Sequence, residues 1–149
     1  MRRFLHGFTL VELMMALALV GILATLAAPA FQGLIQRSRA DSDINELRAA
    51  LSFARLEAIN KNRSITVAAT DQNLGWVAGI TVKQENTVVR KFSAMKSGAQ
   101  LGTTGDAKQF VFNSLGGVEN EVSFNYTQGS TSKNLKVCPS GRILMAGDC

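Results

Sequence analysis

Nineteen consecutive residues, Leu13 to Phe31, carry no charge. As a helix, such a run is about 30 Å long, the thickness of the hydrocarbon core of a bilayer. Only one charge, Glu12, falls between Phe8 and Phe31, while Arg2, Arg3 and His6 precede the run. Basic residues ahead of an apolar span keep that end cytoplasmic, so the rest of the chain is expected outside. Glu12 adds a second constraint. A carboxylate in a membrane helix costs on the order of 2.5–3.5 kcal/mol on insertion scales and usually marks function. A cut between Gly7 and Phe8 would create an ammonium one helical turn from this carboxylate, and a neighbouring subunit's ammonium would neutralise it equally well. Two plainer alternatives stand beside this. One is a simple membrane anchor. The other is a secretory signal with Ala28-Pro29-Ala30 as its small-residue cleavage site and Leu13 to Leu26 as its apolar core. Both leave Glu12 without a role.

The chain has 149 residues, which suggests one domain plus an anchor. Its formal charge is +5, from 16 basic and 11 acidic residues. Without residues 1–7, which hold Arg2 and Arg3, the count is 14 against 11, or +3. That mild excess permits an anionic partner without requiring one. Cys138 and Cys149 are the two cysteines. In an exported chain they read as a disulfide, with two free thiols as the alternative. The loop would be worth roughly 3 kcal/mol in the chain-entropy account. A zinc site lacks further soft ligands, because the single histidine, His6, lies ahead of the apolar run. The same absence removes most nucleophile–base pairs, and the glycines form no phosphate-binding fingerprint, so the chain is expected not to be an enzyme and to need no cofactor.

Beyond Pro29, which should bend the helix without ending it, the pattern stays helical. Ile44, Leu47, Leu51, Ala54 and Ala58 recur at spacings of three and four, forming one apolar stripe. Arg37, Arg39, Asp41, Asp43, Glu46, Arg48, Arg55 and Glu57 supply much of the polar remainder and read as a mainly solvated face. A helix from Phe8 to Lys61 would extend roughly 80 Å. Asn60 to Arg63 is a polar exit, after which the period becomes two. Strands are expected over 64–68, 77–82 and 87–92, with a hairpin turn at 84–86. Residues 97–107 are expected to form a loop. Further strands are expected over 109–113, 121–127, 135–138 and 142–145, with a turn at 116–117 and a Gly-Ser-Thr-Ser loop from Gly129. Trp76, Phe92, Phe110, Phe112 and Phe124 read as core. Such short runs suit antiparallel sheets.

The N-terminus resembles the class III signal of type IV pilins and type II secretion pseudopilins. The residues that carry the resemblance are a short basic leader, Gly7, Phe8-Thr9-Leu10-Val11-Glu12, the apolar run and Pro29. The resemblance implies a prepilin peptidase that cuts between Gly7 and Phe8 and N-methylates Phe8, with Glu12 guiding assembly with other pilin or pseudopilin subunits. Further motifs look like the GspH/FimT branch. These are Ser52 to Ile59 ahead of a strand, Trp76 with Gly79-Ile80-Thr81-Val82, Phe112-Asn113-Ser114-Leu115-Gly116, and Gly141-Arg142. That branch implies an α+β fold, with antiparallel sheets packed on the second half of one long helix. The implied organisation is a cleaved leader at 1–7, a transmembrane and filament-core helix at 8–31, its amphipathic continuation at 32–63, and a β-rich head at 64–149. The implied location is the bacterial inner membrane, single-pass with the head periplasmic, and then a filament. The implied function is that of a minor type IV pilin of the FimT kind, with a GspH-like pseudopilin as the alternative. Some FimT proteins bind DNA through a C-terminal Gly-Arg-x-Arg motif. Here Arg142 matches the first arginine, Leu144 stands at the second, and Lys133 and Lys136 lie nearby, so these three basic residues are the candidate DNA contacts.

Overall fold

The computed structural model describes residues 9–145 and 147–149; the side chains of residues 26–30 lie outside that description. Contacts divide the chain into two units, Met1–Ile35 and Gln36–Cys149. The expected α+β class holds, with one long N-terminal helix followed by antiparallel sheets.

Helix α1 runs over Leu10–Lys61 and continues through position 29. Thr9 caps it: the Glu12 N–H donates to Thr9 Oγ1 at 3.2 Å, satisfying one of the free amides of the first turn. The helix ends at the expected polar exit. Asn62 takes φ 50°, and the N–H groups of Arg63 and Asn62 donate back to Ala58 and Ile59 at 3.1 and 3.2 Å. These paired bonds and the left-handed residue form a Schellman closure.

In the first unit the described apolar side chains from Leu10 to Leu23 are exposed. Among the described residues no helix is long and apolar enough to cross a membrane.

In the second unit, β1 (Ile65–Asp71), β2 (Gly75–Gln84), β3 (Thr87–Phe92) and β5 (Gln109–Phe112) form one antiparallel sheet in the order β3-β2-β1-β5. The strands β4 (Ala99–Thr103), β6 (Val122–Gln128), β7 (Thr131–Val137) and β8 (Ile143–Leu144) form the other, in the order β4-β6-β7-β8. The hairpin between β2 and β3 turns at Glu85, φ 55°, within the expected positions. At Gly79, φ 107°, an added Cβ would lie 2.6 Å from the Phe92 carbonyl oxygen, so only glycine fits that crossing.

The stripe on α1 is the floor of the core. Ile44, Leu47, Leu51, Ala54 and Ala58 are fully buried, joined by Ala40 and Ala50. Against them lie Ile65, Val67 and Val82 of one sheet and Phe124, Leu135 and Val137 of the other. Trp76 stands edge-on to Phe124, ring centroids 5.2 Å apart, and its indole N–H donates to the Ala107 carbonyl at 2.7 Å. Phe112 and Phe124 are fully buried, while Phe92 and Phe110 pack at the margin.

Three sequence expectations are corrected. Residues 97–107 are not simply a loop: Ala99–Thr103 is an edge strand, held by pairing along β6 from Ala99↔Gln128 to Thr103↔Phe124. Its Ala, Gly and Thr content hides a strand that exists because a partner supplies its hydrogen bonds. The loop after β6 is also shorter than expected, because β7 already begins at Thr131. Finally, Asp43 does not belong to the solvated face. It is 1% exposed and accepts from the Lys96 backbone N–H at 3.1 Å and from the Tyr126 hydroxyl at 2.7 Å. The same hydroxyl lies 2.8 Å from Gln128 Oε1, and Gln128 Nε2 donates to the Ser97 carbonyl at 3.1 Å. This buried polar chain ties the helix to β6 and to the loop before β4. Burial, then the Asp43 carboxylate, push the Tyr126 hydroxyl well above its ordinary range.

Candidate functional site

The candidate residues fall at the two ends of the chain. At the N-terminal end, Gly7 and Phe8 lie outside the described residues. Glu12 stands in the first turn of α1 with its side chain exposed. Sequence reasoning missed its neighbour. Thr9 and Glu12 have the S/T-x-x-E spacing of a helix start, and an acid there is favoured by the helix dipole by about 0.3–1 kcal/mol. That is a local use for the carboxylate, small beside the cost of placing it in an apolar environment.

At the C-terminal end, Cys138 and Cys149 are joined in a disulfide, with Cα atoms 5.4 Å apart. Lys133 reaches Asp41 on α1, across 92 positions of sequence. Lys136 lies 3.0 Å from Asp148 and 3.7 Å from Glu121. The bond from Asp148, then the charge of Glu121, raise the Lys136 ammonium above its ordinary range. Both lysines border one groove with Asn134, Met145 and Gly147. Arg142 is exposed and lines a different groove, with Arg48, Ser52, Arg55 and Ile143. The structure therefore brings the two lysines together with acidic partners and sets Arg142 among helix arginines.

Two tight turns position Arg142. The Gly141 N–H donates to the Cys138 carbonyl at 2.7 Å, and the Cys138 N–H to the Arg142 carbonyl at 2.8 Å. Gly141, φ 76°, presses on the Gly116 carbonyl where a side chain would collide. Arg55 binds both turns to α1, its Nε donating to Gly116 O at 3.2 Å and its NH2 to Ser140 O at 3.4 Å. Asn113 closes the first turn, its Oδ1 accepting from the N–H groups of Leu115 and Gly117. The glycine of the Gly-Arg pair is thus explained by packing, and the arginine beside it by exposure. Sequence reasoning missed Arg48 and Arg55 as companions of Arg142. The available signal was their spacing with Ser52, Leu56 and Ile59 along a second helix face.

Family models match the chain at both ends. Residues 43–141 match the model described as "Type II transport protein GspH", and residues 2–28 match the "Prokaryotic N-terminal methylation motif". The fimbrial protein EcpC of Eikenella corrodens is 31% identical over 140 residues, covering 90% of this chain and 88% of that protein. A fimbrial protein of Pseudomonas aeruginosa is 36% identical over 75 residues, 50% of this chain and 48% of its own. The type IV major fimbrial protein FimA of Dichelobacter nodosus is 35% identical over 82 residues, 53% of this chain and 52% of its own. The chain thus spans about half the length of these last two relatives. In fold it is similar to the type IV minor pilin FimU of Pseudomonas aeruginosa, with a TM-score of 0.66 at 22% identity over 75% of this chain and 91% of that one.

Proposed function

We infer function from the premise that this chain belongs to the GspH/FimT family of type IV pilin-like proteins, and we propose that it is a minor type IV pilin of the FimT kind, a subunit that joins or primes a pilus. The observation that carries the reading is the first unit. Its described apolar side chains, Leu10 to Leu23, are exposed on the helix around a single carboxylate, Glu12. Exposed apolar surface on that scale calls for lipid or for neighbouring helices. In this reading residues 1–7 are a leader removed by a prepilin peptidase, Phe8 becomes the methylated N-terminus, and Glu12 receives the ammonium of a neighbouring subunit. Residues 8–31 anchor the protein in the inner membrane and then enter the filament core. Residues 32–63 continue the helix, and residues 64–149 form the head outside. The role is structural rather than catalytic.

The test has two parts. Intact mass of the membrane-extracted protein should show loss of residues 1–7 and gain of one methyl group; an N-terminus near Phe31 would replace the pilin reading with an ordinary signal peptide. Glu12→Ala should insert normally but be depleted from sheared pili, and wild-type incorporation would remove its assembly role.

The match of residues 43–141 to the GspH description favours one second reading, a pseudopilin at the tip of a type II secretion filament. Recovery in secretion pseudopili and absence from pili would select it. DNA uptake ranks below assembly. Lys133 and Lys136 already face Asp41, Asp148 and Glu121, and Leu144 stands at the family's second arginine, which leaves Arg142 as the one phosphate contact of the expected three.

A further inference from the structure

Beside its buried stripe, α1 carries a second one at positions 48, 52, 55, 56 and 59, again at spacings of three and four. This stripe, with Arg142 and Ile143 from the C-terminal segment, lines a groove of about 510 Å³. Its apolar members are uncovered: Leu56 is 56% exposed and Ile59 42%. Its charged members are Arg48, Arg55 and Arg142, and no residue lining the groove is a carboxylate. That separates it from Lys61, Lys133 and Lys136, each of which faces an acidic side chain. Arg55 is fixed by the carbonyls of Gly116 and Ser140, and Arg48 reaches the Met145 sulfur at 4.0 Å. Neutral acceptors hold a guanidinium in place without cancelling its charge. Among the described residues none of these arginines forms a salt bridge.

We propose that this groove binds a polypeptide segment of a partner subunit that sets carboxylates beside aliphatic side chains. Guanidinium groups in a fixed fork match carboxylates bidentately, and exposed Leu56 and Ile59 offer area that only apolar side chains can cover. Arginine beside desolvated apolar anchors is the composition of an interface hot spot. A nucleic-acid backbone would use the arginines and leave the aliphatic floor wet. The chemistry is read from the groove alone and depends neither on the leader cut nor on Glu12.

The test uses the full chain in detergent micelles and a short, dye-labelled peptide alternating Glu and Leu, followed by fluorescence anisotropy. Controls are a Glu–Ser peptide of equal charge and a short DNA duplex. The Glu–Leu peptide should bind at least about tenfold tighter than Glu–Ser, and Arg142→Glu should weaken it by at least about tenfold. Leu56→Ser, an exposed change, should narrow the gap between the two peptides. Equal binding of both peptides overturns the proposal, as does binding that ignores Arg142→Glu, which is what partition into the micelle would give. Tighter binding of duplex DNA with the same dependence on Arg142 would make the groove a nucleic-acid site instead. Sedimentation showing self-association that Arg142→Glu abolishes would assign it to a second copy of this chain.

Discussion

Helix α1 is a single secondary-structure element whose two stretches solve different problems. From Leu10 to Leu23 its large apolar side chains are more than half exposed. From Ala40 to Ala58 most apolar positions fall on one stripe, which is fully buried, while Leu56 stays exposed beside it. In the first stretch exposed apolar residues lie all round the helix. In the second, a period of three and four matches a face that two sheets cover. The same backbone conformation thus leaves apolar surface exposed at one end and buries it at the other. Mutations should separate the two.

The largest separation should come from leucines. Leu47→Ala, in the buried stripe, should cost about 2–5 kcal/mol of head stability. Denaturant unfolding in detergent can be followed by the fluorescence of Trp76, the single tryptophan, which is 1% exposed. Leu17→Ala, in the exposed stretch, should leave that transition within about 0.5 kcal/mol of wild type. Equal losses would mean that the two stretches are not energetically distinct.

The disulfide should come next. Cys138→Ser opens a link of sequence separation 11 and should cost about 2–5 kcal/mol, wholly within the head. An unchanged midpoint would mean that β8 and the C-terminal segment are held by contacts other than the link.

A smaller effect should come from Tyr126→Phe. It removes one buried bond to Asp43 and should cost about 1–3 kcal/mol. Its distinctive mark is at high pH. The folded hydroxyl holds its proton above the ordinary value of 10.0, so its contribution is complete below about pH 10 and is lost as pH climbs beyond it, because the unfolded phenol ionises first. Wild type should therefore lose stability above pH 10 more steeply than Tyr126→Phe. Lys136, also raised, acts in the same direction, so the comparison is best made in a Lys136→Gln background. Parallel slopes would remove Tyr126 from the account.

The buried stripe, its polar exit and most strands were legible because each is written in a local period. The cysteine pair was legible because a chain expected to be exported has few other uses for two cysteines. What escaped has no local signature. Asp43 and Tyr126 are 83 positions apart, and nothing about an aspartate on a charged helix face marks it as buried until β6 arrives with its hydroxyl. The strand Ala99–Thr103 is made by its partner rather than by its own residues. Arg48 and Arg55 looked like solvated charges because the fold that brings the Gly116 and Gly141 turns onto α1 depends on non-local pairing. The place of Glu12 three residues after a capping threonine was also overlooked.

The path of the chain between the sheets also governs how the head can open. After β3 it leaves the first sheet to lay down β4 in the second, returns to add β5, and leaves again for β6. Neither sheet is a continuous segment, so no single cut releases one of them whole. Amide hydrogen exchange in β1 and β6 should accordingly report one shared opening event rather than two separate ones. During N-terminus-first emergence, β4 must also wait as an unpaired edge until residues 122–128 arrive, and that interval is when the nascent head is most open to a wrong strand partner.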